Sequence, residues 1–392
     1  MKRETQGIRR MLGFIDTYNS YASGRLTCDE AGLLLGMSER SFRRWKARYE
    51  ADGEFGLADG RVGKVSSRKA QDAETKLVNR LYAEQYHGFN VAHYHQFLVE
   101  HHGLNRSYDF VKRTLAESRL VLPSKRGGDH RLRRLRKPME GMMLHQDAST
   151  HNWFGEENCD LVVTMDDATS EITSAFFCPQ EGTMSSLRGI KETIELKGLF
   201  CSFYTDRGSH YWTTPEAGGK VDKHNLTQVG RALQQLGIQH IAAYSPQARG
   251  RSERNFSTLQ GRLANELKLN NINDMDGANE YLQRVYLPAH NARFTVEAAE
   301  NNSAYLTYIG RDLDEVLCVK ETRIVGLDNT ISYGGKILQI QKDEHRHHYA
   351  KCEVIVHQKL DETLAIFYGN RCLGKFDKNG KQLTEKKLKK CG

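Results

Sequence analysis

The order of elements between residues 140 and 300 restricts this chain more than any other feature. Segments 142–148, 160–165 (DLVVTM) and 171–177 (EITSAFF) read as three strands, the last two joined by the turn Asp166-Asp167-Ala168-Thr169-Ser170. The pattern then leaves period two. A helix is expected near 184–197, a short strand over 199–205, a helix over 225–236 and a strand over 238–242. A long helix opens at Ser245-Pro246, with Ser245 suited to the N-cap and Pro246 to the first turn. Leu259, Leu263 and Leu267, four apart, would anchor that helix to a sheet. Three antiparallel strands followed by alternating helix and strand predict a mixed five-stranded sheet with helices packed on it.

Three carboxylates occupy telling places in that order. Asp147 lies in the first strand (LHQDAS), Asp206 behind the fourth (YTDRGSH), and Glu253 in the long helix (SPQARGRSERNFSTLQ). If the two aspartate-bearing strands are neighbours and the helix crosses the sheet end, the three meet at one edge. Phosphodiester chemistry suits such a trio: two divalent cations roughly 4 Å apart activate the attacking oxygen and stabilise the leaving one. Mg²⁺ prefers hard carboxylate oxygens, and unliganded carboxylates so close would repel one another. Asp166 and Asp167 are better explained by the turn between two strands. Glu266, the rival third carboxylate, lies deeper in the helix. Arg249, Arg251 and Arg254 surround Glu253 and are candidates for DNA phosphates.

Upstream, residues 1–60 read as a helix-turn-helix domain. Ile8, Met11, Leu12 and Ile15 recur at helical spacing. Thr27 and Glu30 form a capping box for a second helix through Ala31, Leu33, Leu34 and Leu35, which turns at Gly36. Ser38 caps a third helix, SERSFRRWKARYE, with Phe42 and Trp45 inward and Arg40, Arg43, Arg44, Lys46 and Arg48 around the remaining surface. A basic last helix is the one that enters the major groove in this layout; the plain alternative is a helical hairpin with a solvated basic face. Residues 61–121 repeat the theme, with Ser107 capping SYDFVKRTLAESRL and Lys112 and Arg113 facing out. His93, His95, His101 and His102 are expected to decorate a helix and its exit.

Residues 122–140 form a basic linker. Seven Lys or Arg stand against one Asp over 125–137, and Arg131, Arg133, Arg134 and Arg136 are candidates for backbone or minor-groove contacts. Residues 141–295 hold the α/β core. Residues 315–378 are β-rich: 366–368 and 371–373 read as a hairpin around Gly369-Asn370, with further strands at 336–340 and 352–356, and a small β-barrel is the expected closure. The net charge of +8 fits a polyanionic partner. No run of about 20 apolar residues suits a membrane span, and the basic N-terminus lacks an apolar signal core, so no membrane partner and a cytoplasmic location are expected. Eight scattered cysteines without a C-x-x-C pair read as reduced thiols.

The stretches QDASTHNWFG, VVTMDDATSEI, YTDRGS, QVGRALQQLGIQHIAAYSPQARGRSERNFSTLQGRLANEL and YLPAHNARF resemble insertion-sequence DDE transposases with a retroviral-integrase-type core, the ISNCY-type group above all. The resemblance is densest over 142–295. It implies a ribonuclease H-like core, with Asp147, Asp206 and Glu253 as catalytic and metal-holding triad. It implies two divalent cations, Mg²⁺ or Mn²⁺. The implied partner is double-stranded DNA, as terminal inverted repeats and target, bound by a homodimer or higher multimer in a bacterial cell. The 46 residues between Asp206 and Glu253 exceed the usual gap, the excess lying in TTPEAGGKVDKH. A catalytically inactive DNA-binding regulator, or a nuclease that cuts without joining, are the alternatives.

Overall fold

The computed structural model describes residues 2–58, 70–122, 135–155, 157–216, 219–244, 246–310, 312–342 and 344–383; of 2–10 and 246–249 it describes only the backbone. Arg131, Arg133, Arg134 and Ser245 fall outside the described residues, and the Arg249 side chain is not described. The chain divides into two compact units, residues 1–77 and 78–392.

The first unit contains α1 (Lys2–Ala22), α2 (Cys28–Leu34), α3 (Glu39–Asp52) and α4 (Glu54–Leu57). Thr27 and Glu30 cap each other's backbone at the start of α2, and Ser38 caps α3 through the Ser41 N–H. Gly36, in the α2–α3 turn, has φ +64°, which favours glycine. Phe14, Ala31, Phe42 and Leu57 form the core, with Met11, Ile15 and Trp45 packed around them. Of the expected apolar face of α1, Met11 and Ile15 pack inward and Leu12 does not; the Ile8 side chain lies outside the described residues. Leu12 is 56% exposed, Leu33 83% and Leu34 67%, and Phe14 takes the central place. An aromatic side chain contributes more buried area than a leucine at a neighbouring angle, so it sets the helix rotation.

The second unit opens with helices α5 (Asp72–Glu84, which spans the division), α6 (Val91–His102) and α7 (Tyr108–Glu117). Ser107 caps α7, which buries Val111, Thr114 and Leu115. There follow β1 (Leu144–His151), β2 (Cys159–Asp166), β3 (Ile172–Cys178), α8 (Thr183–Lys197), β4 (Ser202–Thr205), α9 (Gln228–Gln235) and β5 (Gln239–Ala242). Next come α10 (Pro246–Gln260), α11 (Leu263–Leu269), α12 (Met275–Tyr281), a π-helical turn (Leu282–Tyr286) and α13 (Leu287–Phe294). The five strands form one mixed sheet in the order β3-β2-β1-β4-β5. β1, β2 and β3 are antiparallel, while β4 pairs parallel with β1 and β5 with β4.

Both sheet faces are covered. Leu144 and Phe203 pack with Leu187, Ile190 and Ile194 of α8 and with Val229, Ala232 and Leu233 of α9. On the other face, Leu161, Val163 and Met165 of β2 and Ala175 and Phe177 of β3 meet Phe256, Leu259, Leu263 and Leu267. The leucine stripe is thus buried as its spacing predicts, but its helix is broken between Gln260 and Leu263 into α10 and α11. Trp153 belongs to this core.

The last region has α14 (Leu313–Val316), β6 (Val319–Ile324), β7 (Thr330–Tyr333), β8 (Lys336–Gln339), β9 (Glu353–Gln358), β10 (Leu364–Tyr368) and β11 (Arg371–Phe376). The hairpin around Gly369-Asn370 is present as β10 and β11. The small barrel is not: a four-stranded sheet, β11-β10-β9-β6, stands beside a two-stranded β7-β8 hairpin, and no sheet closes on itself. Ile331 and Leu338 of the hairpin share one core with Val356 and Ile366 of the sheet. Covering an open sheet buries the same apolar face that closure would have buried.

Candidate active site

Two of the three carboxylates lie in or just after neighbouring strands of the sheet. β1 and β4 run parallel with His145 opposite Tyr204, and Asp147 and Asp206 each follow two residues on. Successive side chains alternate faces, so positions two apart share one. The His145 and Tyr204 rings lie 5.0 Å apart, centroid to centroid. Asp147 is level with Val163, which packs beneath α10. Asp147 lies on the face that α10 covers, and Asp206 stands just past the end of β4, each two residues beyond the last paired positions of the two strands.

Local chemistry holds the Asp206 turn. Asp206 Oδ1 accepts the Gly208 N–H at 2.8 Å. A Cβ at Gly208 would stand 3.0 Å from that oxygen and 3.0 Å from the His210 ring, a crowding that glycine avoids. Beyond it, the Tyr211 hydroxyl donates to Gln146 Oε1 at 2.8 Å, and the Trp212 indole donates to Thr205 Oγ1 at 3.1 Å. Burial raises the Tyr211 pKa, so the phenol stays a donor. Gln146 in turn donates to Thr164 Oγ1 at 2.9 Å. At Gly189 of α8 a Cβ would lie 2.2 Å from the Gln146 amide, so glycine allows the helix this close. Tyr211, Trp212 and Gln146 were missed from the sequence, although SHYW directly follows the TDRG segment.

Glu253 is an exposed residue of α10. The helix is fixed on either side of it: Arg251 pairs with Asp167, and Gln260 Nε2 donates to Ser149 Oγ at 2.9 Å. Asp167 also contacts His145 Nε2 at 2.7 Å. From residue 251 to 260 a helix rises about 13 Å. From His145 to Ser149 a strand covers about 13 Å. α10 is thus tied to β1 at two points, at His145 through Asp167 and at Ser149 directly. Among the described residues no group of three His, Cys, Asp or Glu is close enough to hold a metal ion.

The rival carboxylate is committed elsewhere. Glu266 accepts from His93 Nε2 and the Tyr281 hydroxyl, each at 2.8 Å. His93 is fully buried rather than decorating its helix. Burial pushes its pKa down against the pull of Glu266, so a neutral imidazole donates to the carboxylate. Asn90, which caps α6, also donates to the Gly261 carbonyl at 3.1 Å, at the break between α10 and α11. α6 is therefore packed against the core, while α7 presents Lys112 and Arg113 to solvent.

Of the other basic candidates, Arg40, Arg43, Arg44 and Arg48 are exposed along α3. Lys46 is half-buried and donates to the Tyr21 hydroxyl at 3.0 Å. Arg254 is exposed beside Glu253. Arg251 turns inward to Asp167, and Arg136 donates to the carbonyls of Asp167 and Ala168, at 3.1 and 3.0 Å. Among the described residues no helix is long and apolar enough to cross a membrane.

Residues 19–64 match a helix-turn-helix domain family. The y4bF transposase of Sinorhizobium fredii is 29% identical over 341 residues, 86% of this chain and 74% of that protein. The transposase of insertion sequence IS1202 from Streptococcus pneumoniae is 27% identical over 307 residues, 70% of this chain and 66% of that protein. Among solved structures, a simian T-cell lymphotropic virus intasome bound to PP2A regulatory subunit B56 gamma aligns with TM-score 0.35 and 14% identity, over 76% of this chain and 94% of its own. The HTLV-2 integrase catalytic core with magnesium aligns with TM-score 0.27 and 15% identity, over 38% of this chain and 89% of its own. The resemblance to insertion-sequence transposases read from the motifs is matched by these curated relatives.

Proposed function

We propose that this chain is a DNA transposase. It binds the terminal inverted repeats of an insertion sequence, cuts the strand at each end and joins it to target DNA. The observation that supports this reading is the parallel pairing of β1 and β4, with Asp147 and Asp206 each two residues beyond the paired His145 and Tyr204, in a sheet against which the helix bearing Glu253 packs. Asp147, Asp206 and Glu253 would hold two Mg²⁺ or Mn²⁺ ions; their hard oxygens suit those cations. Bound there, such ions supply Lewis acidity that activates an attacking hydroxyl and neutralises charge on the phosphate.

Three unliganded carboxylates repel one another, so a trio that closes only when cations and DNA arrive costs the free protein less. One aspartate lies in β1 and the other in the turn after β4. The exposed glutamate is the member free to adjust. Arg254, next to Glu253 on α10, would meet phosphates; Arg40, Arg43, Arg44 and Arg48 of α3 in the first unit, and Lys112 and Arg113 of α7 in the second, would meet end DNA. Pairing of two ends implies a dimer or higher multimer. We place the protein in the bacterial cytoplasm, where chromosomal and plasmid DNA lie.

The test is Asp147→Asn, which keeps size and removes charge. Strand joining on a DNA carrying the element ends should fall by at least about 10³-fold, with end binding kept. Joining at the wild-type rate would end the reading. Binding without any metal-dependent cutting in the wild type would favour a regulator, and cutting without joining a nuclease.

A further inference from the structure

The turn between β2 and β3 holds two buried aspartates of different kinds. Asp166 is satisfied by its immediate surroundings. It accepts the Gly141 N–H at 2.8 Å, the Thr169 N–H at 2.9 Å and the Thr169 hydroxyl at 3.0 Å. Asp167 reaches out of the turn instead. Its side chain is completely buried; Oδ2 accepts the Lys137 N–H at 2.8 Å, while Oδ1 meets His145 Nε2 and the Arg251 guanidinium. A buried carboxylate requires partners, but a turn does not require that they come from distant elements. These come from β1, two residues before Asp147, and from α10, two residues before Glu253.

We propose that Asp167 is a positioning residue for the joining reaction: it clamps the Arg251 turn of α10 to His145 of β1 and thereby presents Glu253 to Asp147. It touches no reacting atom. The inference rests on the proposed role of Glu253. Further along, α10 is held independently, by Phe256 and Leu259 in the core and by Gln260 on Ser149. Loss of the clamp therefore loosens the turns around Glu253 and leaves the rest of the helix in place. A misplacement of about 1 Å is enough to cost roughly 10²-fold in a positioned reaction.

The test uses the full chain, with Asp167→Asn, Arg251→Gln, their combination, and Asp147→Asn. Asparagine can still accept from His145 through its one oxygen, but it offers Arg251 no charge and turns its NH2 toward the Lys137 N–H, a local cost to the turn that Arg251→Gln does not share. Hydrogen exchange of the free protein should rise about tenfold over residues 250–256 in Asp167→Asn and stay unchanged over 263–269. The joining rate should drop 10- to 100-fold with end-DNA affinity within about twofold, and the double variant should lose no more than either single one, as expected for groups acting as a unit. Unchanged exchange over 250–256, or additive losses in the double variant, would overturn the clamp. So would exchange rising across the whole unit in both single variants, with rate and affinity falling together, because Asp167 would then serve folding alone. If Asp147→Asn joins normally, the triad fails, and the exchange data still decide the clamp.

Discussion

Glu253 of α10 and Glu266 of α11 carry the same carboxylate, yet substitution to glutamine should separate them cleanly. At Glu266 the amide keeps the shape and loses the charge. Each of its two oxygens takes one hydrogen bond of 2.8 Å, from His93 and from Tyr281. A hydrogen bond to a charged group contributes about 1.5–3 kcal/mol and a neutral one about 0.5–1.5, so each bond loses roughly 1 kcal/mol. The pair then costs about 2 kcal/mol, or roughly 4–8 °C in melting temperature. Joining below the melting transition should persist. At Glu253 the order reverses: an exposed side chain contributes little to stability, while loss of one charge-stabilising group costs roughly 10²–10³-fold in rate. Thermal melts and single-turnover joining on the same preparations read both axes. A Glu266→Gln protein that melts normally but cannot join, beside a Glu253→Gln protein that joins, would refute the assignment.

Two further outcomes follow from surface and burial. Arg44→Ala on α3 should weaken end binding and lower the slope of log affinity against log salt by about 0.9, measured by fluorescence titration across salt; an unchanged slope would remove Arg44 from the phosphate contacts. Acid should destabilise the second unit: burial pushes His290 and His357 down to about 4, below the ordinary value of 6.5. Since the unfolded chain takes up the proton first, stability present above pH 6.5 is lost as pH falls toward 4, about 2 kcal/mol per histidine between pH 7.5 and 5. Urea midpoints that hold steady over that range would contradict the burial argument.

The element order was legible because period two gives way to period 3.6 along the chain, and each switch is local. Asp147 and Asp206 were legible as candidates for the same reason: each sits in a short, distinctive stretch. That β1 and β4 are neighbours was not, since strand pairing is a property of two segments and periodicity describes one. The clamp was hidden more deeply. Asp167 and Arg251 are 84 residues apart, and His93 and Glu266 are 173 apart. A buried ion pair looks, in sequence, like two surface charges. The barrel failed for a related cause. Short alternating strands carry one apolar face, and that pattern does not say whether closure or a covering hairpin buries it.

The division of labour among the three carboxylates follows from what holds each one. Asp147 is carried by a strand paired along its length with β2, and Asp206 by the turn that follows β4, held through the Gly208 N–H. Glu253 depends on a helix held by Phe256 and Leu259 in the core, by the Gln260–Ser149 hydrogen bond and by the Arg251–Asp167 ion pair. Arg136, at the end of the basic linker, donates to the same turn through Ser170 Oγ at 2.8 Å as well as the two carbonyls. The turn that carries Asp167 is therefore tied at once to Arg136, to β1 through His145 and to α10 through Arg251.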